Sequence, residues 1–196
     1  STSYVGAIEK SVDFGHRLHA EAVRRGLSRA ARVVALSDGA AYNKSIASEH
    51  FPQATHIVDL YHARERLADF IKNWTSHAMA GPFHEQSLAL LDEGRIEELA
   101  GRLEQTLPRK GKRRGAAMKK INYFVKRAEQ MRYGEFRRQG LFVGSGVIEA
   151  ACKTLIGKRL KNSGMFWSRR GANAIIAARC CLYSGRFEDF WADTAS

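Results

Sequence analysis

The chain has 196 residues, enough for one domain or for one core with an insertion, and its 44% hydrophobic content is sufficient to bury a core. Its 32 Lys and Arg against 20 Asp and Glu give a net charge of +12 and a pI near 10.0, which indicates a polyanionic partner, nucleic acid ahead of an anionic membrane surface. No apolar run reaches the roughly 18 to 20 residues of a transmembrane helix, and no signal peptide opens the chain, so we expect a cytoplasmic protein.

Helix and strand signals alternate in the first third of the chain. Residues 4–8 predict a strand, and the apolar spacing over 14–25 predicts a helix that Gly26 ends. The continuous apolar run over 32–37 predicts a strand that is buried on both faces and ends at Asp38.

A second strand is predicted shortly afterwards. A short helix over 42–50 is ended by Pro52, and residues 54–60 then predict a strand. Short connections in a strand–helix–strand unit imply a right-handed parallel crossover. Asp38 and Asp59 therefore fall near the carboxyl ends of neighbouring strands, where open α/β sheets place their ligand sites.

Helical patterns dominate from about residue 62 to residue 138. Three apolar faces are predicted to form its core: Leu67, Phe70, Ile71 and Trp74; Leu88, Leu91, Ile96 and Leu99; Ile121, Phe124, Val125 and Ala128. Between these helices, residues 108–115 (PRKGKRRG) predict a basic loop. That loop is either simply solvated or a phosphate-contacting arm whose binding weakens steeply with salt, through Lys110, Lys112, Arg113 and Arg114.

A second helical stretch begins near residue 144, where Ser145 is a good N-cap. Its buried stripe is predicted to contain Ile148, Ala151, Cys152, Leu155, Ile156 and Leu160. Ser168 is expected to cap the next helix, which buries Ala172, Ile175, Ile176, Cys180 and Tyr183 and ends at Gly185. Phe187, Phe190 and Trp191 are then expected to pack back onto the body.

Cysteine and histidine spacing predicts no zinc site. Cys152, Cys180 and Cys181 have no CxxC spacing, and no Cys/His cluster matches a zinc motif. We expect the cysteines to be small core residues in a reducing compartment.

Two carboxylates have the character of metal ligands. Phosphoryl transfer with two metal ions needs carboxylates from separate elements, and Asp38 and Glu149 suit that role. Gly39 would let the chain turn sharply and leave the Asp38 carboxylate exposed. The alternatives are structural: Asp38–Gly39 as a plain turn, and Glu149 as a first-turn acid that pairs with Lys153.

Four ordered motifs together resemble one family. They are SDGA at 37–40, HFPQATHIVDLYHARERL at 50–67, GSGVIEAACKTLIGKRLKNSGMFW at 144–167 and RRGANAIIAARCCLYSGRFEDFW ending at Trp191. They resemble the DDE transposases of Kra-type bacterial insertion sequences, relatives of the Mutator-like transposases. The resemblance implies an α/β, helix-rich chain with a partial RNase H-like fold: core residues 1–66, a helical insertion over 67–140, and C-terminal core helices over 141–196.

The resemblance also implies roles for individual residues. Asp38 would be the second catalytic aspartate and Glu149 the catalytic glutamate, both ligands of two Mg²⁺ or Mn²⁺ ions, with Asp59 and His62 as a D-x-x-H signature near the active centre. The partners would be insertion-sequence ends and target DNA at the bacterial nucleoid, with homo-oligomers expected. Further expected phosphate contacts lie on the glutamate helix: Lys153, Lys158, Arg159 and Lys161. Phe166 and Trp167 would either stack on a base or pack, with packing favoured for Trp167.

Departures from the family pattern lead to further expectations. Tyr42, Asn43 and Lys44 stand where the family has a Trp-rich run, and Phe166 replaces a common Arg. The family's first catalytic aspartate and N-terminal DNA-binding region have no counterpart here, and Asp13 is not at a metal position. We therefore expect a transposase fragment with weak metal binding and slight or absent cleavage. The competing hypotheses are a non-catalytic DNA-binding module descended from a transposase and a basic structural or protein-interaction domain.

Overall fold

The computed structural model describes residues 2–74, 80–161 and 164–188, apart from the side chains of 80 and 147–149. The protein is rich in helix, with a small two-stranded parallel sheet. It divides into two compact units. The sheet unit takes in residues 34–44 and 54–145, and the terminal unit takes in 1–33, 45–53 and 146–196.

The elements follow the chain in this order: α1 (Ser11–Arg24), a 3-10 turn (Leu27–Arg29), β1 (Val34–Ser37), α2 (Ala41–His50), β2 (Thr55–Val58), α3 (Leu60–Trp74), α4 (Ala80–Glu93), α5 (Ile96–Gln105), α6 (Lys112–Val125), a second 3-10 turn (Ala128–Met131), α7 (Tyr133–Arg138), α8 (Gly146–Cys152), a π-helical turn (Lys153–Gly157), α9 (Lys158–Leu160) and α10 (Arg169–Tyr183). No helix in the described ranges combines the length and the apolarity that crossing a bilayer requires.

The two strands pair in parallel, as the sequence predicts. Val34 lies opposite Thr55 and Ser37 lies opposite Val58, and the Asp59 N–H donates to the Ser37 carbonyl (2.7 Å) one position beyond the last pair. Asp38 and Asp59 therefore both follow the carboxyl end of the sheet. Ile57 and Val58 are almost fully buried, whereas β1 is only half-buried along its length.

The core of the sheet unit lies between β2 and the helices α3 to α7. Its fully buried side chains are mostly the predicted apolar positions: Leu67, Phe70, Leu91, Ile96, Leu99, Leu103, Ile121, Phe124, Met131 and Tyr133. The prediction is wrong for Val125, which is exposed at the C-terminal end of α6. Helical spacing therefore located the buried stripe but wrongly included Val125 in it.

The predicted basic loop is shorter in the structure. Pro108 to Gly111 connect α5 to α6, but Lys112, Arg113 and Arg114 already form the first turn of α6. Cations at a helix N-terminus oppose the helix dipole, which is why their sequence pattern indicated a loop.

The prediction of a strand over residues 4–8, in the terminal unit, is wrong. Residues 2–10 form no strand. Two of their N–H groups donate instead to side chains at the two ends of α10: Tyr4 to Oγ of Ser184, the residue after the helix (2.9 Å), and Ile8 to Asn173 Oδ1 (2.7 Å). On α10 itself, the Ser168 hydroxyl accepts from the Gly171 N–H as predicted, and the helix ends before Gly185.

Fewer side chains of the terminal unit are buried than the apolar pattern predicted. Leu155, Ala172, Ile176 and Cys180 are buried, but Cys152 and Tyr183 are exposed and Cys181 is half-buried, so the cysteines are not uniformly core residues. Ile148 lies outside the described side chains, and Phe190 and Trp191 lie outside the described residues.

The helix predicted from residue 144 to residue 160 is interrupted by the π-helical turn Lys153–Gly157. The Arg179 guanidinium donates to the carbonyls of Leu155 (2.9 Å) and Thr154 (2.8 Å), which supplies partners to carbonyls in the widened turn. A π-helical turn inside a helix often occurs at a functional position.

Gly94 joins α4 to α5 in a backbone conformation that only glycine adopts easily, with φ at 79°. The turn is a Schellman motif: the Arg95 N–H donates to the Leu90 carbonyl and the Gly94 N–H donates to the Leu91 carbonyl. A Cβ at Gly94 would also lie 2.8 Å from the Cα of Arg132.

We expect Gly94→Ala to lower the free energy of unfolding by about 2 kcal/mol or more, since left-handed strain and a backbone clash add together. Urea unfolding followed by circular dichroism measures this. Gly101 on α5 is the matched control, because a Cβ there meets nothing within 4 Å. Gly101→Ala should instead stabilise by about 0.5–1 kcal/mol. Equal effects of the two substitutions would contradict the close approach at Gly94.

Candidate functional site

Asp38 lies immediately after β1 and is half-buried. Its Oδ1 accepts hydrogen bonds from the Ala40 N–H (2.9 Å) and from the Asn43 side-chain amide (2.8 Å). Both bonds fall on one oxygen and hold the carboxylate in a fixed orientation. The bond from the Ala40 N–H is typical of an Asx turn. Asp38 therefore also has the turn role that the sequence analysis gave as the alternative to metal binding.

The backbone after Asp38 is hydrogen-bonded to side chains at and just beyond the C-terminal end of α6. Tyr123 donates through its hydroxyl to the Asp38 carbonyl (3.4 Å), and Arg127 donates through Nε (3.2 Å) and Nη2 (2.9 Å) to the Gly39 carbonyl. Gly39 is buried at φ 76°, and a Cβ there would lie 2.6 Å from the Tyr123 hydroxyl. Glycine is required at this position by both its backbone angle and this close approach.

Two guanidinium groups lie over the Tyr123 ring, at 4.3 Å for Arg66 and 4.4 Å for Arg127. Arg127 is committed to backbone carbonyls, whereas Arg66 is exposed. Burial raises the pKa of the Tyr123 hydroxyl, and the two cations oppose that shift, so the phenol is neutral at pH 7. The neighbourhood of Asp38 thus contains one carboxylate and a stacked pair of cations.

Asp59 is completely buried and links three parts of the sheet unit. Its Oδ1 accepts from the His62 N–H (3.0 Å), which makes Asp59 the N-cap of α3, and its Oδ2 accepts from the Ser145 N–H (2.5 Å). Burial alone would raise the pKa of Asp59, but hydrogen bonds from Ser145 and His62 outweigh it and hold the pKa below 3.8. Asp59 is therefore an ionised structural acceptor whose two oxygens are both in use.

His62 is oriented by the same carboxylate. Its Nδ1 lies 3.2 Å from Asp59 Oδ1, and because an ionised carboxylate only accepts, Nδ1 carries the proton. Its side chain is 38% exposed. Nε2 is therefore the ring nitrogen that a neutral His62 offers as an acceptor or ligand.

Glu149, the second predicted metal ligand, belongs to α8 in the terminal unit, and its side chain lies outside the described part of the chain. Its distance from Asp38 therefore stays a prediction. Lys153, Lys158, Arg159 and Lys161 are exposed after α8. The Arg159 guanidinium lies 5.8 Å from the Trp167 ring centre.

The two aromatic residues predicted for stacking or packing behave differently. Phe166 is 99% exposed, so it does not pack against the described residues of the terminal unit. Trp167 is half-buried, and its indole N–H is buried with no partner in the described part of the chain.

The basic residues around the start of α6 are not equivalent. Arg114 is ion-paired with Glu104 and donates to the Pro108 carbonyl, so its charge is already partnered. Arg113 lies 5.6 Å from the Trp74 ring centre and donates to the Asn73 carbonyl. Lys110 and Lys112 are exposed, with no ion-pair partner among the described side chains. Of the four cations predicted to contact phosphate around this position, these two have charges that no described side chain neutralises.

Sequence reasoning missed Arg66, Tyr123 and Arg127. Tyr123 and Asp38 are separated by 85 residues, and no local pattern connects them. The available signal was an aromatic residue and a cation spaced four residues apart, with Tyr123 in α6 and Arg127 just after its end. This spacing is equally typical of a solvated helix face.

Comparison of the chain with protein-family models, with curated proteins and with solved structures gives no match.

Proposed function

We propose that this chain is a fragment of a DNA transposase of the DDE type, with part of an RNase H-like catalytic core. The observation that carries the proposal is the Asp38 carboxylate, held by two hydrogen bonds at the carboxyl end of a parallel strand. Asp59 directly follows the adjacent strand, and its carboxylate orients His62 in the first turn of α3. The net charge of +12 supports a polyanionic substrate.

Asp38 offers a carboxylate oxygen, which is the ligand type that Mg²⁺ and Mn²⁺ prefer. Asp59 is not suited to bind the ion. Asp38 has an oxygen that its bonds to Ala40 and Asn43 do not use, whereas Asp59 is buried with both oxygens engaged. Glu149 would supply the other carboxylate. A divalent ion bound by these carboxylates would supply the positive charge to activate a water or a 3′ hydroxyl and to stabilise the leaving oxygen.

The remaining residues position this carboxylate and the DNA. Tyr123 and Arg127 hold the Asp38–Gly39 backbone, and Asp59 holds His62. The exposed Arg66, stacked on Tyr123, is suited to contact a phosphate beside Asp38.

A non-catalytic DNA-binding module derived from a transposase is the second candidate. The net charge of +12 is sufficient to support DNA binding without any metal at Asp38. A basic structural or interaction domain would need neither metal nor DNA.

Incubation of the chain with supercoiled plasmid and Mg²⁺ or Mn²⁺ tests these candidates. Nicking that EDTA abolishes supports the transposase core. Salt-sensitive retention on duplex DNA without nicking supports the binding module. If the chain neither nicks nor retains DNA, both are wrong.

Removing two exposed charges should weaken DNA binding measurably. In Lys110→Ala/Lys112→Ala, the slope of log affinity against log salt should become shallower by about 1.8, because two phosphate contacts are lost. Fluorescence anisotropy with a labelled duplex across a salt series measures this. Arg95→Ala is the control, since Arg95 is paired with Glu93 and Glu98, and its slope should match the wild type. Identical slopes for all three proteins would assign DNA contact to another surface.

A further inference from the structure

A second cluster of metal-ligating side chains lies in the terminal unit and contains no residue of the Asp38 site. His16 comes from α1, and Glu49 and His50 come from the C-terminal end of α2. One ligand atom from each of these three residues lies within 4.8 Å of the other two. Helix packing, rather than local spacing, brings these residues together.

His50 provides an independent indication of a ligand. Its side chain is only 9% exposed, and its Nε2 is buried with no hydrogen-bond partner in the described part of the chain. Nε2 lies 4.0 Å from Glu49 Oε1. A polar ring nitrogen that is buried in this way is unfavourable unless something satisfies it.

Neighbouring rings fix the position of His50. The ring centres of His16 and His19 lie 4.9 Å and 5.7 Å from that of His50, and Phe51 lies 6.5 Å away. A Cβ on Gly15 would come within 2.6 Å of His50 Nε2, so glycine allows α1 to approach the ring. The buried ligand is therefore held in place before any ion binds.

We propose that His16, Glu49 and His50 bind a divalent transition-metal ion of the zinc class. Two imidazoles and a carboxylate match zinc's ligand preference, whereas Mg²⁺ and Ca²⁺ prefer oxygen. Bond lengths of about 2.0–2.2 Å bring zinc ligand atoms to roughly 3.4 Å from one another, closer than the present spacing. His16 and Glu49 are exposed and can move inward, while His50 stays fixed.

An ion at this position would join α1 to the end of α2. With three protein ligands, the fourth position of a tetrahedral ion goes to water. Because the site requires both helices to be packed, the ion binds the folded chain and raises its melting temperature. This consequence does not depend on the proposed function.

Calorimetric titration of the untagged chain with ZnSO₄ tests the proposal, with CoCl₂ titration followed by visible absorption as a second measurement. We expect one ion per chain, tetrahedral cobalt bands without a thiolate charge-transfer band, and a higher melting temperature. His16→Ala and Glu49→Gln replace exposed side chains, so the fold should persist by circular dichroism, and each should weaken binding at least about tenfold. His84→Ala, on α4 of the sheet unit, is the matched control and should bind as the wild type does.

Three outcomes would overturn the site. These are no zinc binding at micromolar concentrations, affinity unchanged in both His16→Ala and Glu49→Gln, or a thiolate band, which would assign the ion to cysteine. Asp38→Asn should retain zinc binding in full, so failure of the carboxylate site and failure of this site are distinguishable.

Discussion

Replacement of Asp59 by alanine is expected to lower the free energy of unfolding by about 2–4 kcal/mol. The substitution leaves the N–H groups of His62 and Ser145 without their buried acceptor, and it removes the N-cap of α3. Urea unfolding at pH 7, followed by tryptophan fluorescence and by circular dichroism, measures the change.

Asp69→Ala is the control for this substitution. Asp69 also lies on α3, but its carboxylate is exposed and contacts Asn73 and Lys120 at the surface. Its removal should change the free energy of unfolding by no more than about 0.5 kcal/mol. If Asp59→Ala unfolded at the same urea concentration as Asp69→Ala, Asp59 would not be the buried acceptor described above.

The effect of Asp59 should also depend on pH. Its pKa is lower in the folded chain than the ordinary value of 3.8, so its charged form stabilises the fold above that value. This contribution is lost as pH falls through the lowered pKa. The stability difference between the wild type and Asp59→Ala should therefore shrink as the pH falls below about 4. A difference that grew on acidification below about pH 4 would have the wrong sign for this carboxylate.

Any slight metal-dependent DNA nicking by this fragment is expected to fall at least about a hundredfold in Asp38→Asn. The amide oxygen can still accept from Ala40 and Asn43, so the turn after β1 should persist while the charge that holds the cation is lost. Nicking of supercoiled plasmid in Mn²⁺, followed over time, gives the rate. DNA affinity without metal should be unchanged or higher, because one negative charge has been removed.

Asp13→Asn is the matched control for Asp38→Asn. Asp13 is an exposed aspartate in the first turn of α1, and its loss should leave nicking unchanged. Nicking by Asp38→Asn at the wild-type rate would refute the proposed role of Asp38. If no protein in the set nicks DNA but all retain it with salt sensitivity, the binding-module alternative is favoured.

Local patterns predicted the elements that position the candidate site. Continuous apolar runs identified β1 and β2, and short connections identified their parallel pairing, because both signals depend on neighbouring residues. The positions of Asp38 and Asp59 at the carboxyl edge followed from these two facts.

The contacts that complete the site could not be predicted in the same way. Tyr123 and Arg127 reach the Asp38–Gly39 backbone because the C-terminal end of α6 and the residues after it lie beside that backbone, and helical spacing does not specify which element a helix packs against. The cluster of His16, Glu49 and His50 depends on packing in the same way, which is why motif spacing indicated no metal site there.

The π-helical turn over Lys153–Gly157 changes the relation between residues before and after it. Such a turn accommodates about one more residue than an α-helical turn, and each residue of an α-helix accounts for about 100° of rotation. A helical wheel drawn through this stretch therefore assigns the residues from Lys158 onward to a direction wrong by about 100°. The directions of Lys158 and Arg159 relative to Lys153 are therefore set by the π-helical turn and not by a continuous wheel. Charge swaps designed from a continuous wheel would test the wrong pairs, and deleting one residue of the π-helical turn would restore an α-helical phase and redirect Lys158, Arg159 and Lys161 together.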